Sequence, residues 1–118
     1  MIFTFSCQSQ KSGEYVLSPI EFNTHFQQDS NAVIIDVRTP EEFQEKHIRN
    51  AVNIDYQNDD FEKLIKELDK QKAYYVYCRS GKRSSSAIEI MQKNNFSNLY
   101  ELKGGILSWE EEKMVTVE

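Results

Sequence analysis

The sequence predicts a single α/β domain: a central, mostly parallel five-stranded sheet with helices on both faces. Three observations predict it. Short β-branched or aromatic runs, Ala32-Val33-Ile34-Ile35-Asp36-Val37 foremost, alternate with stretches whose apolar residues recur at helical spacing. Two of those stretches open on the same start signal, Ser18-Pro19-Ile20-Glu21 and Thr39-Pro40-Glu41-Glu42, each just after a strand-like run. The length of 118 residues, with 39% hydrophobic, suffices for one core and leaves no room for two domains.

Residues 1–13 are set apart as an N-terminal segment, and residues 14–118 form the domain. Met1-Ile2-Phe3-Thr4-Phe5-Ser6-Cys7 is apolar and ends in a small residue before a cysteine. It has the look of the tail of a lipoprotein export signal with Cys7 lipidated, but it lacks the basic start and the full apolar run of a working signal. The plainer reading is a frayed end or a first edge strand. The default compartment is therefore the cytoplasm, and the alternative is the cell envelope, anchored at Cys7.

The elements then follow in order. Tyr15-Val16-Leu17 is a brief strand. Ser18 caps a helix with Pro19 in its first position and Glu21 closing a capping box; Phe22 and Phe26 share one face of it. The run from Ala32 to Val37 reads as a central strand buried on both sides. Thr39 caps the next helix, with Glu42 reaching back. Ala51-Val52-Asn53-Ile54 is a short strand, and Phe61, Leu64, Ile65 and Leu68 mark a core-facing helix. Ala73-Tyr74-Tyr75-Val76-Tyr77 is a strand that stops at Cys78, its tyrosines packing alternately on the two faces. Residues 79–83 form a loop. A helix runs from Ser84 to about Asn95, with Ala87, Ile88 and Met91 inward and Asn94-Asn95 as its stop. A last strand over 98–102 and a last helix from 106 to about 113 complete the chain.

Charge narrows the function. Fourteen basic against nineteen acidic residues give a net charge of −5, which argues against nucleic acid and against an anionic membrane surface as partners. No run of about eighteen apolar residues exists, so no transmembrane segment is expected. Cys7 and Cys78, and likewise His25 and His47, stand far apart, with no ligand spacing for a metal; no cofactor is implied either.

The chemistry gathers in Cys78-Arg79-Ser80-Gly81-Lys82-Arg83-Ser84, between a strand and a helix. A loop over a helix start aims backbone N–H groups at one centre, and the helix dipole favours an anion there. Arg79, Lys82 and Arg83 add cations, Gly81 permits a positive φ, and Ser80 and Ser84 bring hydroxyls. These are the conditions that ionise a thiol near neutrality and turn Cys78 into a nucleophile. The plain alternative is a solvated basic turn with an inert, buried Cys78. Two chemistries use such a site. Cysteine-dependent phosphatases place their arginine one residue later than Arg83, where this chain has Ser84. The shorter loop makes a smaller cradle, suited to a sulfur atom rather than a phosphoryl group.

With these residues in view, the chain resembles the rhodanese family over about residues 18–109. The marks are Asp36-Val37-Arg38-Thr39-Pro40-Glu41-Glu42-Phe43, then His47-Ile48-Arg49-Asn50-Ala51-Val52-Asn53-Ile54, the 78–84 loop, and Gly104-Gly105-Ile106-Leu107-Ser108-Trp109. Four such segments in order are specific. The resemblance implies a single-domain sulfurtransferase in which Cys78 takes the outer sulfur of thiosulfate or a similar donor as a persulfide. A thiol, a thiol protein or cyanide would then accept it. By the same carry-over Arg79, Ser80, Gly81, Lys82, Arg83 and Ser84 surround the persulfide, and Arg79 and Arg83 attract the donor anion. The alternative is a persulfide carrier, or anion-binding module, that serves a partner with little turnover on free thiosulfate. Lys46 and Asn50 depart from the family's usual glycines; asparagine tolerates a left-handed backbone.

Other residues carry lesser expectations. Asp36 and Arg38, at a strand's carboxyl end, pair or support the neighbouring loop. His47 is a packed or turn-bonding histidine rather than a proton relay, and Trp109 packs in the core or borders a pocket. Glu110-Glu111-Glu112 is a solvated helix face. The protein is expected to act as a monomer.

Overall fold

The most continuously apolar stretch, Ala73–Tyr77, is buried at all five positions and forms the middle of the sheet. The computed structural model describes residues 10–11 and 14–118. Its elements are β1 (Gln10–Lys11), β2 (Glu14–Leu17), α1 (Pro19–Gln27), β3 (Ala32–Asp36), α2 (Pro40–Glu45), β4 (Val52–Asn53), α3 (Phe61–Lys66), β5 (Ala73–Tyr77), α4 (Lys82–Lys93), β6 (Leu99–Leu102) and α5 (Gly105–Glu111). The strand order is β1-β2-β6-β5-β3-β4. The five strands from β2 to β4 are all parallel, as expected, and the two-residue β1 adds an antiparallel edge. Apart from Gln10 and Lys11, the N-terminal segment, with Cys7, lies outside the described residues.

Strand alternation divides the core. Tyr74, Val76 and Cys78 face α3 and α4, packing with Phe61, Ile65 and Ile88. Tyr75 and Tyr77 face α1 and α5, packing with Phe22, Ile106 and Trp109. Cys78 therefore continues the alternation of β5 past its last paired residue, which points its sulfur towards α4.

Both local start signals form as capping boxes. Glu21 N donates to Ser18 Oγ at 3.2 Å while Ser18 N donates to Glu21 Oε1 at 3.0 Å. Thr39 and Glu42 repeat the pair. Asn50 and Asn95 adopt left-handed φ values of 73° and 72°, the conformations a glycine substitute and a helix stop require.

Some boundaries differ from expectation. Helix α4 begins at Lys82, so Lys82 and Arg83 belong to its first turn rather than to a loop. Helix α3 ends at Lys66, and Leu64, expected in the core, is 39% exposed. Six residues give less than two turns, so only Phe61 and Ile65 reach the sheet. Among the described residues, no helix is long and apolar enough to cross a membrane, and no cluster of three or more His, Cys, Asp or Glu could hold a metal ion.

Candidate active site at the end of the central strand

Cys78 leaves the carboxyl end of β5, where parallel sheets of this kind place their ligands. Its backbone is fixed from the far side by α5. Ile106 N donates to Cys78 O at 2.9 Å, and Leu107 N donates to Arg79 O at 3.1 Å. Two amides of one helix start thus satisfy the carbonyls of the two residues that follow β5. The chain then turns through Gly81, at φ 111°, into α4. Gly81 N donates to Cys78 Sγ at 3.0 Å, which sets the sulfur beneath the helix start. A backbone donor of this kind favours an anionic sulfur, as does the positive end of α4.

Ser84, fully buried in the first turn of α4, closes the inner wall. Its Oγ lies 3.5 Å from Cys78 Sγ and 2.7 Å from Oε2 of Glu101 on β6. Arg79, Ser80 and Lys82 are exposed around the mouth. Arg83, half-buried, extends its guanidinium fork to Glu42 of α2, at 2.8 Å and 3.1 Å. That hydrogen bonding, with attraction to Glu42 and to Cys78, raises the Arg83 pKa above its usual value. Of the three cations between residues 79 and 83, Arg79 and Lys82 are thus exposed to solvent, while Arg83 is held to one side by Glu42.

Asp36 and Arg38 do not line this mouth. They form a buried pair at the end of the neighbouring strand β3, with Arg38 Nη2 2.8 Å from Asp36 Oδ2. Tyr77 donates its hydroxyl to the same Oδ2 at 2.6 Å and accepts from Ile48 N at 3.0 Å. Burial, then the nearby Asp36 charge, pushes the Tyr77 phenol well above its ordinary pKa, so it stays a donor. Burial opposes the charge on Arg38, yet hydrogen bonding and attraction to Asp36 outweigh it, and its pKa is raised. His47 stacks on Phe43 and its Nδ1 lies 2.8 Å from Phe43 O, a structural role. Trp109 packs in the core and borders a cleft of about 340 Å³ between α1 and the 48–50 turn, on the opposite face of the sheet from α4. No residue from 78 to 84 lines that cleft.

Three parts of the site were not assigned from sequence. Glu42 was read only as a helix cap, and Gly105 only as part of a motif. Glu101 carried a usable signal: an isolated carboxylate within the Leu99–Leu102 strand, buried once that strand pairs with β5.

The Glu42–Arg83 pair has a measurable signature. Hydrogen bonding from Arg83, foremost, lowers the Glu42 pKa from 4.5 to about 2. A carboxylate depressed in the folded state stabilises fully above its unfolded pKa, and the gain is lost as pH falls through the folded value. The wild type is therefore expected to lose stability between about pH 4.5 and about pH 2 relative to Glu42→Gln, which retains an acceptor for Thr39 but carries no charge. With both partners partly exposed, the differential is about 1 kcal/mol. Urea midpoints across that range measure it; parallel pH profiles for the two proteins would contradict it.

Comparison with known proteins follows the same residues. The model of the rhodanese-like domain matches residues 18–112. The chain belongs to the rhodanese-like domain family. Among rhodanese-like relatives, the thiosulfate sulfurtransferase GlpE of Pseudomonas syringae is 35% identical over 81 residues, 69% of this chain and 74% of that protein. A tRNA uridine(34) hydroxylase of Cytophaga hutchinsonii is 36% identical over 104 residues, 86% of this chain but only 33% of its own length. The chain thus spans a third of that larger relative. A crystal structure of a rhodanese-related protein from Thermoplasma volcanium superposes with a TM-score of 0.75 at 28% identity, covering 86% of this chain and 96% of that one. In this rhodanese-like fold Cys78 lies at the carboxyl end of the central strand β5.

Proposed function

We propose that this rhodanese-like domain is a sulfurtransferase that carries sulfane sulfur as a persulfide on Cys78. The observation that supports it best is the 3.0 Å approach of Gly81 N to Cys78 Sγ at the start of α4. One amide and one helix dipole address the sulfur itself, while the cations Arg79 and Lys82 lie outside it. An anionic donor such as thiosulfate is drawn to the mouth. The Cys78 thiolate attacks its outer sulfur, a new S–S bond forms, the S–S bond of thiosulfate breaks, and sulfite leaves with the electron pair. The persulfide's negative outer sulfur then occupies the space in front of the loop amides. An acceptor thiolate, or cyanide, attacks that sulfur and releases the Cys78 thiolate. No metal, redox partner or cofactor enters this balance.

Peptide mass spectrometry after incubation with thiosulfate tests the assignment and distinguishes Cys78 from Cys7. The expected result is a gain of one sulfur atom on Cys78, lost on adding cyanide with release of thiocyanate, and absent in Cys78→Ser. No gain, or equal turnover by Cys78→Ser, overturns it. Loading without cyanide turnover would identify a carrier that passes sulfur to a partner protein. Cys78-dependent hydrolysis of an aryl phosphate would identify a phosphatase instead.

A further inference from the structure

Behind the sulfur lies a buried carboxylate that this chemistry does not use. Glu101 is 6% exposed and sits on β6 beside Val76, two residues before Cys78 on the same face of the sheet. Its Oε2 is 2.7 Å from Ser84 Oγ, which is 3.5 Å from Cys78 Sγ and 3.2 Å from Gly81 O. A serine hydroxyl has a single proton to donate. The charge-assisted contact to the carboxylate is the shortest of the three and takes that proton. Ser84 therefore faces the sulfur with a lone pair, which suits a thiol that donates and not a thiolate that must accept.

We propose that Glu101, acting through Ser84, holds Cys78 as a resting thiol and stores the proton released when the sulfur ionises. Ser84 passes its proton to Glu101 Oε2, the Cys78 S–H proton passes to Ser84 Oγ, and the hydroxyl then donates to the thiolate. One S–H bond breaks and one carboxyl O–H bond forms. Ser84 ends with one proton, as it began, and the net charge of the three groups is unchanged. The negative charge has moved to the sulfur, where Gly81 N–H and the start of α4 favour it. When the acceptor takes the sulfur, the same path returns the proton to Cys78.

Glu101 is thus a positioning residue for the Cys78 chemistry proposed above, on which its role rests. Among the described residues, the other charged or titratable groups around the loop are Arg83 with its partner Glu42, the Asp36, Arg38 and Tyr77 group, and the exposed Arg79 and Lys82. The test leaves all of them in place.

The consequence is a gain of reactivity, which a purely structural role would not produce. Iodoacetamide alkylation of Cys78, followed by peptide mass spectrometry over a pH series, reads the free thiolate without any sulfur donor. Below neutrality, Glu101→Gln is expected to react about tenfold faster than wild type, the factor carried by one hydrogen bond to an ionised sulfur. Glu101→Asp keeps the charge but withdraws it from Ser84 by one methylene, and it too is expected to react faster. In a Ser84→Ala background both changes are expected to have no effect. Unchanged or slower alkylation in the single variants, or acceleration that survives Ser84→Ala, overturns the proposal. If circular dichroism finds Glu101→Gln unfolded, Glu101→Asp with and without Ser84→Ala decides in the same sense. Because alkylation needs no sulfane sulfur, its outcome is independent of whether Cys78 forms a persulfide.

Discussion

Gly105→Ala is expected to lower stability by about 3 kcal/mol or more and to remove most sulfur loading, although Gly105 touches no reacting atom. The added Cβ would overlap the carbonyl of Arg79 and come within 2.6 Å of Cys78 O. These are the carbonyls that Ile106 N and Leu107 N hold, so the methyl group must either displace α5 or push the loop off it. The φ of 64° adds a backbone penalty of about 1 kcal/mol for any side chain. Gly81→Ala supplies the comparison. Its φ of 111° is strained as well, but its Cβ would meet only Gly104 N, at 3.8 Å. It should therefore cost about 1–2 kcal/mol and leave the Cys78 backbone in place. Urea denaturation with the thiosulfate-loading rate measures both. If Gly81→Ala proved the more damaging, contact between α5 and the loop would not be what positions the cysteine.

The same contrast explains what could be read in the chain before its structure. The helix starts at Ser18 and Thr39 were legible because each capping box closes within four residues, with no help from the rest of the fold. The packing of Tyr74, Tyr75 and Tyr77 on alternate faces was legible from the period-two pattern of a strand. The start of α4 was not, because Gly81 begins the helix through its left-handed backbone and supplies no capping side chain. The partner of Arg83 was not legible, because Glu42 is 41 residues away and already explained locally as a cap. Ser84 lies in the first turn of α4, and its bond to Glu101 depends on β6 lying beside β5, a pairing that local pattern does not specify. Residues satisfied by neighbours in sequence were legible; those satisfied across the sheet were not.

Asp36→Ala is expected to cost about 3–5 kcal/mol, because it strands a buried guanidinium and a buried phenol together. Arg38 is 3% exposed and gives Asp36 its backbone N–H, its Nε and its Nη2, while Tyr77 gives the same carboxylate its hydroxyl. Replacing both charges, as in Asp36→Leu with Arg38→Met, is expected to cost less than Asp36→Ala alone, since no unpaired charge stays buried. A double variant as unstable as the single one would contradict this account of the pair. The damage is also expected to reach the sulfur. Arg38 Nη2 donates to Lys46 O at the end of α2, α2 carries Glu42, and Glu42 holds Arg83 beside Cys78. Once Arg38 lets go, α2 can shift and Arg83 loses its anchor, so loading by the folded fraction of Asp36→Ala should slow as well. Glu42→Gln keeps the buried pair and weakens only the last link. It should therefore slow loading at a cost of only about 1 kcal/mol at neutral pH, against the larger loss in Asp36→Ala, and that separation of rate from stability marks Asp36 and Arg38 as supports of the loop.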